Sequence, residues 1–148
     1  MNTLEISSNK IYARILLKIN NHNTFPKHFF TSKSVLYTVT KKEPYKEFGI
    51  VNIKDSIHYK YVNNIIGYSE IYNNYLKVAA QHDHDILKFN SLITNFNLEE
   101  LERNKVILKK VKYRKRTHYE IVDGCHRLSI YFIKFKKLQS DFYRFSDS

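Results

Sequence analysis

Residues 119–130 read Tyr119-Glu120-Ile121-Val122-Asp123-Gly124-Cys125-His126-Arg127-Leu128-Ser129-Ile130, and the order of residue types in this stretch sets the expectation for the fold. Tyr119 and Ile121 fall on one side of an alternating run, as in a strand. Asp123-Gly124 interrupts that run, and the apolar residues from Leu128 to Ile133 can continue as a helix. The turn is therefore expected at a helix N-terminus, where the first backbone N–H groups lack intrahelical acceptors and the macrodipole is positive. Such an end attracts an anion, for example a phosphate. Gly124 lets the backbone approach a ligand closely. Cys125, His126 and Arg127 are expected to face that space, Arg127 with a guanidinium fork for phosphate oxygens and His126 with a ring that donates or accepts near neutral pH.

Asp123-Gly124-Cys125-His126-Arg127 resembles the signature of the ParB/sulfiredoxin superfamily, in which a Gly-x-His-Arg or Gly-Cys-His-Arg turn between a strand and a helix holds nucleotide phosphates. Gly124-Cys125-His126-Arg127 is similar to the sulfiredoxin turn, whose cysteine attacks an oxidised peroxiredoxin. Asp123 ahead of the glycine is similar to the free-serine kinase branch. The resemblance implies a ParB/sulfiredoxin-like fold with Gly124, Cys125, His126 and Arg127 around the phosphates, and ATP with Mg²⁺ as cofactors. Its first reading is an ATP-dependent kinase acting on a small hydroxylated metabolite, in which Asp123 orients Arg127, binds Mg²⁺ or accepts a proton.

The second reading is a sulfiredoxin-like reductase with Cys125 as nucleophile, its thiol acidified by the helix end, His126 and Arg127. The charge of Asp123 disfavours that thiolate, which leaves Cys125 as a small residue at a variable position of the motif. The third is a ParB-like protein that binds nucleotide or nucleic acid without catalysis. ParB partition proteins use a Gly-Glu-Arg-Arg turn and a separate helix-turn-helix domain, and the chain shows neither.

The 148 residues suffice for one domain with a real core, so a single domain over 1–148 is expected. A hydrophobic share of 43% with 12 Tyr and 10 Phe is too apolar for a disordered chain. The formal charge of +11 favours anionic partners. A nucleotide with a small-molecule substrate is expected, nucleic acid being the less favoured partner. The lone Cys125 excludes an intramolecular disulfide framework and fits a reducing cytosol. Without a long apolar run or a signal peptide, the expected location is cytoplasmic, with no membrane span.

Along the chain, Ile11, Ile15, Leu16 and Ile19 suit one face of an amphipathic helix over 1–23, ended by the asparagine cluster at 20–23 and Pro26. Strands are expected over 31–40 and 48–53, with a loop around Pro44. Asp55-Ser56-Ile57-His58-Tyr59 then gathers acid, hydroxyl, imidazole and phenol at a strand end. Asp55 and His58 are the candidates for the acceptor side of a catalytic site, the alternative being an N-cap at Asp55 or Ser56 beside an ordinary histidine. Helical stripes over 64–80 and 85–96 read as core faces.

His82-Asp83-His84-Asp85 is the densest group of metal-ligand types, but its spacing suits a helix cap as well as a metal. Residues 105–113 form a hairpin with the motif strand, its Arg114-Lys115-Arg116 tip being a solvated edge or an anion-binding finger. Phe135 to Leu138 continues the motif helix amphipathically, and 141–148 has no clear period. With no internal repeat, the expected class is α+β: a small mixed sheet flanked by helices, with a strand–turn–helix phosphate site.

Overall fold

The computed structural model describes residues 4–26, 29–30, 33–79 and 86–146, and over 4–23 the expected helix is replaced by strands. β1 (Ile6–Ser7) is short, and β2 (Ile11–Ile19) lies in the middle of the main sheet. Ile11, Ile15 and Ile19 are four residues apart, and four is a multiple of two, so the spacing fits one face of a strand as well as one face of a helix. The residues between them separate the cases. Ile11, Ala13 and Ile15 are buried, whereas Tyr12 and Arg14 turn to the other side. β5 pairs along most of β2, and β7 pairs with its start at Ile11 and Tyr12.

After β3 (His22–Asn23), the strand expected over 31–40 appears as β4 (Val35–Lys42), residues 31 and 32 lying outside the described ones. It turns at Pro44 into β5 (Tyr45–Asn52). The helices are α1 (Ile57–Asn63), α2 (Ile65–Ala79), α3 (Ile86–Asn95) and α4 (Leu98–Arg103). The basic hairpin follows as β6 (Val106–Tyr113) and β7 (Arg116–Asp123), which leads into α5 (Cys125–Lys134). β8 (Lys137–Leu138) and β9 (Tyr143–Phe145) complete the described chain.

The helix expected to reach 138 therefore stops at Lys134. Phe135 is extended, and Leu138 is buried where β8 pairs with β1. That pairing and the burial of Leu138 beside Ile6 outcompete one more helical turn.

The fold is α+β with a mixed sheet. Its order is β4-β5-β2-β7-β6-β9, with β3 on β2; β2–β7 and β6–β9 are parallel, and the other pairs are antiparallel. Helices cover one face. Ile15, Val51, Ile57, Tyr61, Tyr72 and Phe89 form one buried cluster there, and Ile11, Leu101, Leu108, Leu128 and Tyr131 form a second. α1 packs against both α2 and α5. Among the described residues no helix is long and apolar enough to cross a membrane.

The other face carries Tyr12, Tyr37, His118 and Glu120. β4 and β7 are three strand spacings apart in the sheet order, or about 14 Å in a flat sheet. Side chains standing perpendicular to such a sheet would not meet across it. Yet the Tyr37 hydroxyl donates to Glu120 Oε2, and the Tyr37 ring stacks on Tyr113 of β6 at 4.7 Å. The sheet must curl, so this face is a trough rather than a plane.

Candidate functional site

Gly124 has φ +110°, a backbone conformation open to glycine and strained for other residues. A Cβ there would lie 2.4 Å from Val106 Cγ1, so the position also lacks room for a side chain. This kink turns the end of β7 into α5, with Leu128 N–H donating to the Gly124 carbonyl at 2.9 Å. Residues 125–127 thus form the first turn of a helix of 10 residues, whose N–H groups no intrahelical carbonyl can satisfy. The strand–turn–helix order read from the sequence is present.

Two cavities flank the turn. One, of about 510 Å³, is lined by Arg14, Lys109, Glu120, Asp123, Gly124 and His126 among others, and it lies on the trough side of the sheet. The other, of about 240 Å³, is lined by Lys88, Phe89, Leu92, Asp123, Gly124, His126 and Arg127. The Asp123 carboxylate is two-thirds exposed and borders both.

His58 meets the motif from α1. It is buried, and its Nδ1 lies 2.8 Å from the Tyr72 hydroxyl, which lies 3.3 Å from His126 Nε2. The two imidazoles are 4.4 Å apart between centroids, and Phe89 stands edge-on to His126 at 4.6 Å. Burial pushes the Tyr72 phenol well above its ordinary range, so its hydroxyl keeps its proton. A neutral hydroxyl between two ring nitrogens donates to one and accepts from the other. The fold therefore assembles a His58–Tyr72–His126 hydrogen-bonded chain from α1, α2 and the first turn of α5. Ser56, whose Oγ accepts from Tyr59 N–H, caps the helix that carries His58.

Comparison with protein-family models, with curated proteins and with solved structures finds no match.

Three sequence expectations need correction. Arg127 does not reach freely into the anion space: its Nη1 donates to the Asn104 carbonyl, and its Nη2 lies 3.5 Å from Asp123 Oδ2. The Asn104 carbonyl, left over at the end of α4, is an acceptor that attracts the guanidinium. Cys125 is half-buried: it lines the larger of the two cavities and also packs against the core cluster. Its thiol is held protonated chiefly by burial, which pushes it up to about 12, rather than by Asp123. Asp55, in the 3₁₀ turn before Ser56, makes no hydrogen bond or ion pair with the group among the described residues. His82-Asp83-His84-Asp85 lies outside the described residues.

Tyr72 was legible only as part of a helical core stripe. His118 and Glu120, two apart on a strand and so on one face, carried a spacing signal that went unused. Glu120 Oε2 is 2.8 Å from His118 Nε2 and also accepts from Tyr37, so this carboxylate is already engaged. Asp123 is the more exposed of the two acids at the turn and borders both cavities. Among the described residues no three His, Cys, Asp or Glu side chains form a metal cage. Mg²⁺ is commonly held by one or two carboxylates together with substrate phosphates, which fits a single exposed Asp123 beside a helix N-terminus.

Proposed function

We propose that the chain is a ParB/sulfiredoxin-like phosphotransferase that holds ATP phosphates at the 123–127 turn and phosphorylates a small hydroxylated metabolite. The observation that carries this reading is the left-handed Gly124. It turns the first helical N–H groups of α5, those of residues 125–127, toward cavities lined by Arg14, Lys109 and Lys88. Fixed donors and cations around transferring phosphates supply most of the catalysis in such reactions, by positioning and charge stabilisation. Arg127, tethered by Asn104 and Asp123, contributes a fixed positive charge rather than a free fork.

In this reading the acceptor hydroxyl attacks the terminal phosphorus, ADP leaves, and the hydroxyl proton passes to His126, with Tyr72 and His58 behind it as a relay. Asp123 would hold Mg²⁺, whose chemistry is to neutralise charge on the phosphate oxygens. The reductase alternative loses support from the protonated Cys125, because the attacking species is the thiolate.

Thermal shift with ATP, with and without Mg²⁺, tests the binding step. At a hundredfold excess over Kd the gain is about 2.7 kcal/mol, equivalent to a Tm rise of roughly 5–10 °C for a chain of this size. ADP release in the presence of a panel of hydroxylated metabolites tests transfer, and Asp123→Asn should abolish it. No shift at millimolar ATP under either condition would refute the reading.

A further inference from the structure

Among the described residues, a cavity larger than either of those at the turn lies elsewhere on the sheet. It measures about 690 Å³ and sits where the 113–118 hairpin end meets the start of β2. Tyr12, Tyr113 and His118 supply rings to its wall, and Lys10, Arg114 and Arg116 supply cations, with no carboxylate in its lining. His118 is buried, held by Glu120 at 2.8 Å and met edge-on by Tyr12 at 5.0 Å. Tyr113 is stacked on Tyr37, and the Arg114 guanidinium lies 5.2 Å over the Tyr113 ring. The rings are therefore fixed in place by their own packing.

The basic residues extend beyond the cavity. Lys109, Lys110, Lys112, Arg114, Lys115 and Arg116 are all exposed and crowd into eight positions that hold no acid. Part of this has a structural account: β9 pairs only with 106–108 of β6, so the lysines farther along guard a bare sheet edge. That account does not cover the tip. Arg114 and Lys115 both have positive φ, 50° and 67°, in a two-residue turn where Asn-Gly is the unstrained choice. Cations are kept there against the backbone preference.

We infer that this cavity and the basic hairpin beside it bind single-stranded nucleic acid: the exposed Arg114 swings off the Tyr113 ring onto a phosphate, a base takes its place on that face and lies against Tyr12, and further phosphates meet Lys10 and Arg116. A lone anion would need one or two of these cations, whereas three around one cavity, with Lys109 farther along the same face of β6, suit a chain of phosphates. Rings recessed in a cavity reach bases only when these are unstacked, which selects a single strand over a duplex. The site is separate from the turn: His118 and Gly124 are six residues apart on an extended strand, or about 20 Å. It does not depend on nucleotide binding at 123–127.

The test is fluorescence anisotropy with labelled oligouridylate and oligothymidylate of about 12 nucleotides, and with a duplex of equal length, between about 50 and about 300 mM KCl. Three phosphate contacts predict a log–log salt slope of about −2, and Arg114→Gln/Arg116→Gln should reduce it by about 1.4 units and weaken binding at least tenfold at ~50 mM salt. Tyr113→Leu should weaken binding roughly fivefold to a hundredfold with the slope unchanged, and Tyr113→Phe should bind as wild type. Circular dichroism verifies that each variant is folded, and the exposed arginine pair keeps the test decisive if Tyr113→Leu is not. The inference is overturned by any of four results: no saturable single-strand binding, a duplex bound as tightly, an unaltered slope in the arginine variant, or uridine monophosphate competing as well as the oligomer per nucleotide.

Discussion

Replacing Gly124 by alanine puts two separable strains on the turn. The first is backbone: at φ +110° a residue with a Cβ occupies a sparsely populated region, at about 1–3 kcal/mol. The second is steric, since the new Cβ would lie 2.4 Å from Val106 Cγ1 and 2.9 Å from Val106 Cβ, while Arg127 Nη2 at 3.1 Å would also have to give. Val106 is fully buried beside Leu108 and Leu128 and has nowhere to swing. Overpacking of this kind costs about 1–3 kcal/mol.

The sum, roughly 2–6 kcal/mol, is a large part of the ~5–15 kcal/mol stability of an ordinary domain. Urea unfolding followed by circular dichroism should show the midpoint falling by roughly 1–3 M for a slope near 2 kcal/mol/M. In a Val106→Ala background the 2.4 Å clash is gone, so Gly124→Ala should cost at least ~1 kcal/mol less there, the cavity cost of Val106→Ala cancelling in the cycle. A Gly124→Ala protein within ~0.5 kcal/mol of wild type would refute the left-handed turn. An equal cost in both backgrounds would refute the contact with Val106.

Alkaline stability follows from Cys125. Its thiol is raised from an ordinary 9.0 to about 12 in the folded chain, so the unfolded state releases that proton first and binds fewer protons between these values. Stability should therefore fall as pH rises above 9, by up to ~1.4 kcal/mol per pH unit. Burial raises six tyrosines as well, and these carry the same limb as the pH nears about 10, so urea midpoints between about pH 7 and about pH 9.5 should fall less steeply in Cys125→Ala than in wild type; equal falls would mean an exposed thiol. Tyr72→Phe removes the hydroxyl that bridges His58 and His126. It should cost about 1–3 kcal/mol in the same unfolding assay and slow phosphoryl transfer more than ATP binding, whereas unaltered turnover would exclude the relay.

The strand–turn–helix at 119–134 and the hairpin before it were legible because their causes are local: alternation, a glycine break, a basic two-residue turn, an apolar helical face. The helical stripes of α2 and α3 were legible for the same reason. His58 was singled out as a loop-end histidine, but nothing within its own neighbourhood indicated that it would stand 4.4 Å from His126. That approach needs α1, α2 and α5 packed on one face of the sheet, so it depends on pairings between residues 14 and 54 positions apart.

The sequence by itself determined an α+β chain with a glycine-kinked helix N-terminus at 124–127, since φ preference, hydrophobic period and turn chemistry act over a few residues. Only the tertiary structure decided that 11–19 is a strand, because a four-residue spacing satisfies both periods and the partners β5 and β7 break the tie. It also decided that Arg127 is tethered to Asn104, that Cys125 packs against the core cluster, and that the sheet curls until Tyr37 reaches Glu120. Each of these is a contact between residues remote in sequence. Its free energy comes from surfaces that do not exist until the sheet and helices have assembled.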